Sequence, residues 1–449
     1  MMTDEQRQHA VAAIQQALPA LEWTLQPAKI KRLSRDFHWF SPLLTEQLAG
    51  KQADAVVRPR DEEELRQLVP LEGGLLVDMT GLNQIVALGN GTVRAQAGIR
   101  LADIETAARP TGWELRCMPS TYRLASLGGL YGGGFGGIGS INYGPLAAPG
   151  NVLSVKVMTV EPAPRVLTVP APEALLLHHA YGNNGIILEV ELALAPVHQW
   201  IERLDVFDDF ADALNYANAC VRSPGLVKRQ VALLATPIAD YFSHLNDRYH
   251  AGQHAVISLI AEESEGLCAS LLPRHRGSNA IRQASDEART RNGSLMEYCW
   301  NHTTLHALKV DNTLTYLQTA FDPLRYPQQI LQMEQHFAGE VMSHIEFLRD
   351  IEGNLTASGL QLVRYTTPER LNAIMQIFRD NDVKINNPHV LQVEDGKQGV
   401  IRPDVVAVKQ SLDPAGLLNP GKLRGWALRD QLELDSNPLT RATRESPTT

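Results

Sequence analysis

The sequence predicts an α+β protein with two principal domains, and three observations carry that reading. Short strand-like runs alternate with helical stretches, so neither type fills the chain. A glycine segment interrupts the first half: eight of the twelve residues from Gly128 to Gly139 are glycine. After Pro196 the pattern changes to strands alternating with longer helices. A chain of 449 residues is long enough for two or three domains with ample core.

The elements follow in order. Residues 4–18 place Ala10, Ile14 and Leu18 at helical spacing. Ala53–Val57 reads as a strand stopped by Arg58-Pro59-Arg60. Asp61–Leu68 reads as a helix, with acids in its first turn where they complement the macrodipole. Leu75–Met79 is a buried strand and Thr92–Ala97 a half-exposed one, followed by a helix at Leu101–Ala108. Strands are expected at Val152–Val160, Arg165–Val169, Ile186–Leu194 and Val256–Ala261, with helices around Leu305–Leu308 and Pro327–Phe337. Arg424–Thr449 is polar and reads as a frayed tail.

Composition excludes several classes. A formal charge of -9 without a Lys/Arg block argues against a nucleic-acid surface. No apolar run reaches 18 residues, and the first residues lack a signal-peptide pattern, so the expectation is a soluble, cytoplasmic protein without a membrane span. Cys117, Cys220, Cys268 and Cys299 form no CxxC and no metal-like spacing, which favours a reducing compartment. Nucleophilic catalysis lacks a GxSxG. Glu105 and Glu114 read as isolated carboxylates on a surface helix and loop.

Glycine clusters admit positive φ and let a ligand approach the backbone, and their amides form concave anion sites. A solvated linker would not carry Leu127, Leu130, Tyr131, Phe135, Ile138 and Ile141 among its glycines. No GxGxxG follows a strand and opens a helix, so a nicotinamide-type fold is not indicated.

The flanks are more specific. They read Cys117-Met118-Pro119-Ser120-Thr121, then Ser126-Leu127-Gly128-Gly129, Ser140-Ile141-Asn142-Tyr143-Gly144 and Gly185-Ile186-Ile187; near the other end stands Asp413-Pro414-Ala415-Gly416-Leu417-Leu418-Asn419-Pro420-Gly421-Lys422. With these motifs the chain resembles, over about 50–426, the FAD-linked oxidases of the vanillyl-alcohol oxidase and p-cresol methylhydroxylase type. The resemblance implies a two-subdomain FAD-binding domain plus an antiparallel-sheet cap. The divisions it suggests are a helical extension at 1–50, an FAD-binding domain at 51–196, a cap at 197–404, a return at 405–426 and a flexible tail at 427–449. It implies FAD as cofactor, with Pro119, Ser120 and Thr121 along it and Ser126, Gly128 and Gly129 near the flavin and phosphates. Gly133, Gly134, Gly136, Gly137, Ile138, Ser140, Tyr143 and Gly144 would complete that wall. Gly185, Ile186 and Ile187 would face the adenine, and Asn419 and Lys422 would return to the flavin or ribityl chain.

One departure stands out. The family carries a second glycine-rich loop, around the pyrophosphate, between its first helix and the strand found here at Gly74–Met79. In this chain the helix runs through Val69-Pro70-Leu71-Glu72-Gly73 straight into that strand. Either a segment is omitted from the chain or part of the pyrophosphate site has been lost. The abrupt junction favours omission. Real loss would leave two sheet edges exposed.

The cap would choose the substrate. Its polar–aromatic clusters are Met296–His306 and Lys384–His389, and a neutral His beside a flavin suits proton removal. His302 and His389 are therefore the candidate bases among 14 histidines. His344-Ile345-Glu346 and the His302/His306 pair are only loose metal patterns, and no metal is expected. The expected activity is FAD-dependent oxidation of a small-molecule substrate, an alcohol, hydroxy acid or similar. The electron acceptor is unassigned and a homodimer is left open. The competing reading is a flavin-free relative kept as a binding or scaffold protein.

Overall fold

A computed structural model describes residues 3–68, 74–134, 136–245, 247–291 and 293–445. Its first layer is a three-stranded sheet in the order Glu22–Thr24, Ala55–Arg58, Leu75–Val77. The last two strands run parallel, with Val56 opposite Leu76. The helix Glu62–Leu68 lies between them in sequence and buries Leu65 and Leu68. Real loss of a strand would have left two edges open, but Ala55–Arg58 is paired on both sides: antiparallel with Glu22–Thr24 and parallel with Leu75–Val77. The 1–50 extension thus supplies a strand as well as helices. The junction at 69–71 lies outside the described residues.

The second sheet has seven strands and is antiparallel throughout. Its axis is the long strand Ile186–Pro196, flanked by Val152–Met158 and Thr92–Gln96, with Trp113–Leu115 pairing its far end. The expected flexible tail is a correction. Thr443–Arg444 adds an edge strand to Val166–Pro170, and Glu173 accepts hydrogen bonds from Thr440 Oγ1 and the Arg441 amide. A polar sequence looked frayed because its partners lie some 270 residues upstream.

The cap is built on an eight-stranded antiparallel sheet. Strand Lys228–Leu234 is buried on both faces, and its period of two sorts the contacts. Val231 and Leu233 join a core with the helices Phe210–Arg222, Tyr326–Phe337 and Pro368–Asp380. Ala232 and Leu234 face the opposite way, into a core shared with Val93, Leu101, Leu127 and Tyr131 of the first domain. The two domains therefore share one apolar interior.

A buried ion cluster reinforces that junction and corrects the view of Glu105 and Glu114 as surface carboxylates. Both are buried. Glu105 accepts two hydrogen bonds from Arg229 of the cap at 3.1 Å and one from the Leu115 amide. Glu114 accepts from Arg109 at 2.6 Å, from Arg229 at 3.3 Å and from the Trp200 indole at 3.0 Å. The chain end returns to the first domain through the helix Pro403–Leu412. Asn184 donates to the Val405 carbonyl, Lys409 to the Asn183 carbonyl, and the Val160 amide to Leu412.

Candidate cofactor site

The glycine segment forms a helix, Leu127–Gly133, not a loop. Ser126 caps it by accepting from the Gly129 amide at 3.1 Å. Leu127, Leu130 and Tyr131, at i, i+3 and i+4, are buried on one face. Gly129 and Gly133 share the other face, which carries no side chains. A Cβ added at Gly133 would meet nothing within 4 Å. Gly134 then ends the helix at φ 73°, in the left-handed region, where a Cβ would collide with the imidazole of His179.

The bare face borders a hollow of about 170 Å³. Its first-domain lining includes Pro119, Ser120, Thr121, Gly129, Gly133 and Gly137; its cap lining is Trp300 and Asn301. Trp300 sits at φ 51°, unusual for a bulky residue, and is held at both ends. Its amide donates to Glu346 Oε1 at 2.6 Å and its indole to Gln230 Oε1 at 3.1 Å. Glu346 is fully buried and also binds the Gln230 amide group and His344 Nε2, the latter at 2.7 Å. His344 and Glu346 are two residues apart on one strand, so they share a face. That spacing was the available signal for this grip.

His302 follows directly in the helix Asn301–Val310, its amide 3.4 Å from Ser120 Oγ. Its Nδ1 is buried with no hydrogen-bond partner. Burial lowers its pKa, which keeps the ring neutral at physiological pH, against a weaker opposing pull from Glu297. His306 lies one turn on, stacked on Tyr298 at 4.5 Å, its pKa lowered to about 4 by burial. His389 is different. Its Nδ1 is 2.8 Å from Ser41 Oγ of the N-terminal extension and its Nε2 is 2.9 Å from the Tyr316 carbonyl of the cap, so both ring nitrogens are engaged.

The remaining sequence-selected residues divide into groups. Gly128 packs on Ala97, and Gly136 faces Ser140 and Pro145. Ile138 exchanges backbone hydrogen bonds with Met118, and buried Ser140 donates to the Gly137 carbonyl. Tyr143 lies under the Arg116 guanidinium at 5.0 Å and lines a separate hollow of about 400 Å³ with Lys228, Arg229 and Arg349. Gly144 abuts Ala148. Gly185 packs on Val157 and Leu412, and Ile186 and Ile187 pair with Met158 and Val157. Asn419 donates to the carbonyls of Tyr181 and Gly182, and the Tyr181 amide donates to Gly132. Lys422 lies over the Tyr181 ring at 5.3 Å, its pKa lowered by burial. The C-terminal motif thus reaches the glycine helix through Tyr181–Gly182.

The structure brings together a glycine-bared helix, a left-handed turn behind it and a C-terminal Asn-Pro-Gly-Lys that reaches the helix through Tyr181–Gly182. Comparison with known proteins gives the class: residues 69–163 match the FAD binding domain family. The chain carries an FAD-binding domain, and its cofactor is FAD. Over 130 residues it is 33% identical to decaprenylphosphoryl-beta-D-ribose oxidase of Mycolicibacterium smegmatis, a stretch covering 28% of this chain and 27% of the oxidase. In overall fold it is similar to alkyldihydroxyacetonephosphate synthase, with a TM-score of 0.65 at 14% identity over 94% of this chain and 86% of that one. A second crystal form of that synthase gives a TM-score of 0.56 at 15% identity, over 82% and 77%. The α+β architecture and the resemblance to FAD-linked oxidases hold.

The residues present fit such a group. Gly133 leaves open space beside the hollow, which a ring lying on the helix would require. Near Gly182–Gly185, His178 Nε2, Asn183 Oδ1 and Asn184 Oδ1 are buried without a partner, a polar demand that a ligand would meet. A hollow of about 170 Å³ lies below the roughly 300–1,000 Å³ of whole-ligand sites, so it suits one end of the cofactor. Among the described residues no helix is long and apolar enough to cross a membrane.

Proposed function

We propose that the protein is an FAD-dependent oxidoreductase that removes a hydride and a proton from a small organic substrate, most simply an alcohol carbon. The observation that carries this is the hollow where the bare face of helix Leu127–Gly133 meets Trp300 and Asn301 of the cap. FAD, when bound, supplies the hydride acceptor. Trp300 closes the cap side and excludes water, with its position fixed by Glu346 and Gln230. His302, next in the chain to the Asn301 that lines the hollow, is the base: its Nδ1, without a partner among the described residues, accepts the substrate hydroxyl proton. Its ring is neutral, as a base requires. His389 is set aside, because both its nitrogens are already engaged. The oxidase that the chain resembles acts, by its name, on a ribose, which supports the alcohol class.

The test has two parts. Purified protein mixed with FAD should retain a visible flavin spectrum after gel filtration; a colourless protein would favour the flavin-free reading. In the loaded protein, His302→Gln should slow flavin reduction by substrate by about 10²-fold. Unchanged reduction at full FAD occupancy would remove His302 from the mechanism.

A further inference from the structure

The cap contains a pair of thiols that the proposed reaction does not use. Cys220 lies on helix Phe210–Arg222 and Cys268 on helix Glu265–Leu271, both buried, with their sulfurs 3.9 Å apart. The Tyr216 hydroxyl is 2.9 Å from Cys268 Sγ and donates its one hydrogen to Asp205 Oδ2 at 2.8 Å. The phenol oxygen is therefore left to accept from the Cys268 thiol, and Cys268 sulfur to accept from Cys220. Asp205 is paired in turn with Arg203 at 2.8 Å and accepts from Asn279 at 2.7 Å. A continuous chain thus runs from the Cys220 thiol through Cys268 and Tyr216 to a buried carboxylate.

We propose that Cys220 and Cys268 are a peroxide-oxidisable pair that closes into a disulfide, with Cys268 as the attacking sulfur and Cys220 as the resolving one. The hydrogen bond from Cys220, with Tyr216 and the Arg203 charge, lowers the Cys268 pKa, while that same contact raises Cys220. A thiol that loses its proton more readily attacks peroxide sooner. Cys268 passes its proton to the Tyr216 oxygen as Tyr216 passes its own to Asp205. The Cys268 sulfur attacks one oxygen of hydrogen peroxide, the O–O bond breaks, and the departing hydroxide takes up that proton as water. Cys268 is now a sulfenic acid. The Cys220 sulfur then attacks it, the S–O bond breaks, and the oxygen leaves with the Cys220 proton as a second water. Two thiols and one peroxide become one disulfide and two waters. To bond, the sulfurs must close from 3.9 Å to about 2 Å.

The other two cysteines serve as internal controls. Cys117 donates to the Gly144 carbonyl and its pKa is pushed up to about 12 by burial; Cys299 lies against the Leu295 carbonyl and is raised by burial as well. Among the described residues, neither is paired with a second thiol as Cys220 and Cys268 are.

The test uses the full chain and added hydrogen peroxide, so it is independent of flavin loading. Stoichiometric peroxide, followed by denaturation and alkylation, should lower the thiol count from four to two and give a peptide joining Cys220 to Cys268. Modification of Cys268 should run at least about 10-fold ahead of Cys117. In Cys220→Ser the reaction should stop at a sulfenic acid on Cys268, trapped by dimedone. Oxidation of Cys117 or Cys299 at the same rate, a sulfinic acid on Cys268 without the cross-link in the wild-type protein, or four surviving thiols would each overturn the proposal.

Discussion

The two walls of the hollow are made by opposite means. The first-domain wall is made by leaving side chains out: Gly129 and Gly133 bare one helix face, and Gly134 turns the chain at φ 73°. The cap wall is made by holding one large side chain in place, Trp300, whose amide and indole are both gripped by the Glu346–Gln230 pair. The first device needs a run of one residue type. The second needs a buried polar network in which every member has a partner. The first should therefore fail through added bulk, and the second through a lost hydrogen bond.

Gly134→Val tests the first wall at its strongest point. A β-branched residue is strained at that φ, and its Cβ would collide with His179. Destabilisation of about 4 kcal/mol is expected, from backbone strain plus overpacking. Chemical denaturation measures it, and bound flavin should fall below detection. Full flavin occupancy in a stable variant would mean that this turn is not part of the wall.

Glu346→Ala tests the other wall. It removes the acceptor of the Trp300 amide and leaves Gln230 and His344 without their shared carboxylate. A loss of about 3 kcal/mol is expected, the scale of buried polar groups left unsatisfied. Tryptophan emission should shift as Trp300 relaxes, and substrate KM should rise more than kcat falls. A variant with native emission and stability would show that Trp300 is held by packing alone.

This contrast explains what the sequence could disclose. A conformational demand met by glycine is written in residue type, so the helix-and-turn wall and the Asn-Pro-Gly-Lys return were visible as motifs. The cap segment Met296–His306 stood out by composition, and its Trp300 and Asn301 line the hollow. Its support was visible only in part: His344 and Glu346 stood out as a loose metal pattern, while Gln230, 116 positions from Glu346, gave no signal. Glu105 and Glu114 looked isolated for the same reason, since Arg229 stands more than a hundred residues away from both. The strand Glu22–Thr24 is only three residues long, and too polar to signal itself.

The third test takes the second candidate histidine, His389. His389 is buried with its pKa pushed down from 6.5 to about 4. A depressed histidine binds its proton in the unfolded chain before the folded one, so stability is full above pH 6.5 and is lost as pH falls towards 4. By about pH 5 this single group should have cost about 2 kcal/mol relative to neutral pH. His389→Gln should remove that share of the acid sensitivity, as read from denaturation midpoints across the range, and leave flavin reduction unchanged. A slower reduction in that variant would return His389 to the list of bases.

The smallest effect discriminates most finely. Gly133 occupies the last turn of a helix in an ordinary helical conformation, and a Cβ there would meet no protein atom within 4 Å. If the face is bare for folding reasons, Gly133→Ala should be simply beneficial, since alanine in a helix is more stable than glycine by about 0.5–1 kcal/mol. If it is bare because a cofactor ring lies against it, the same methyl group should cost binding. The expected outcome is therefore split: a small rise in the melting temperature of the flavin-free protein, and a several-fold weaker FAD affinity by fluorescence titration. Stability and affinity rising together would mean that the hollow beside helix Leu127–Gly133 is not where the flavin sits. Only opposite signs in one variant fit a wall kept bare for a ligand.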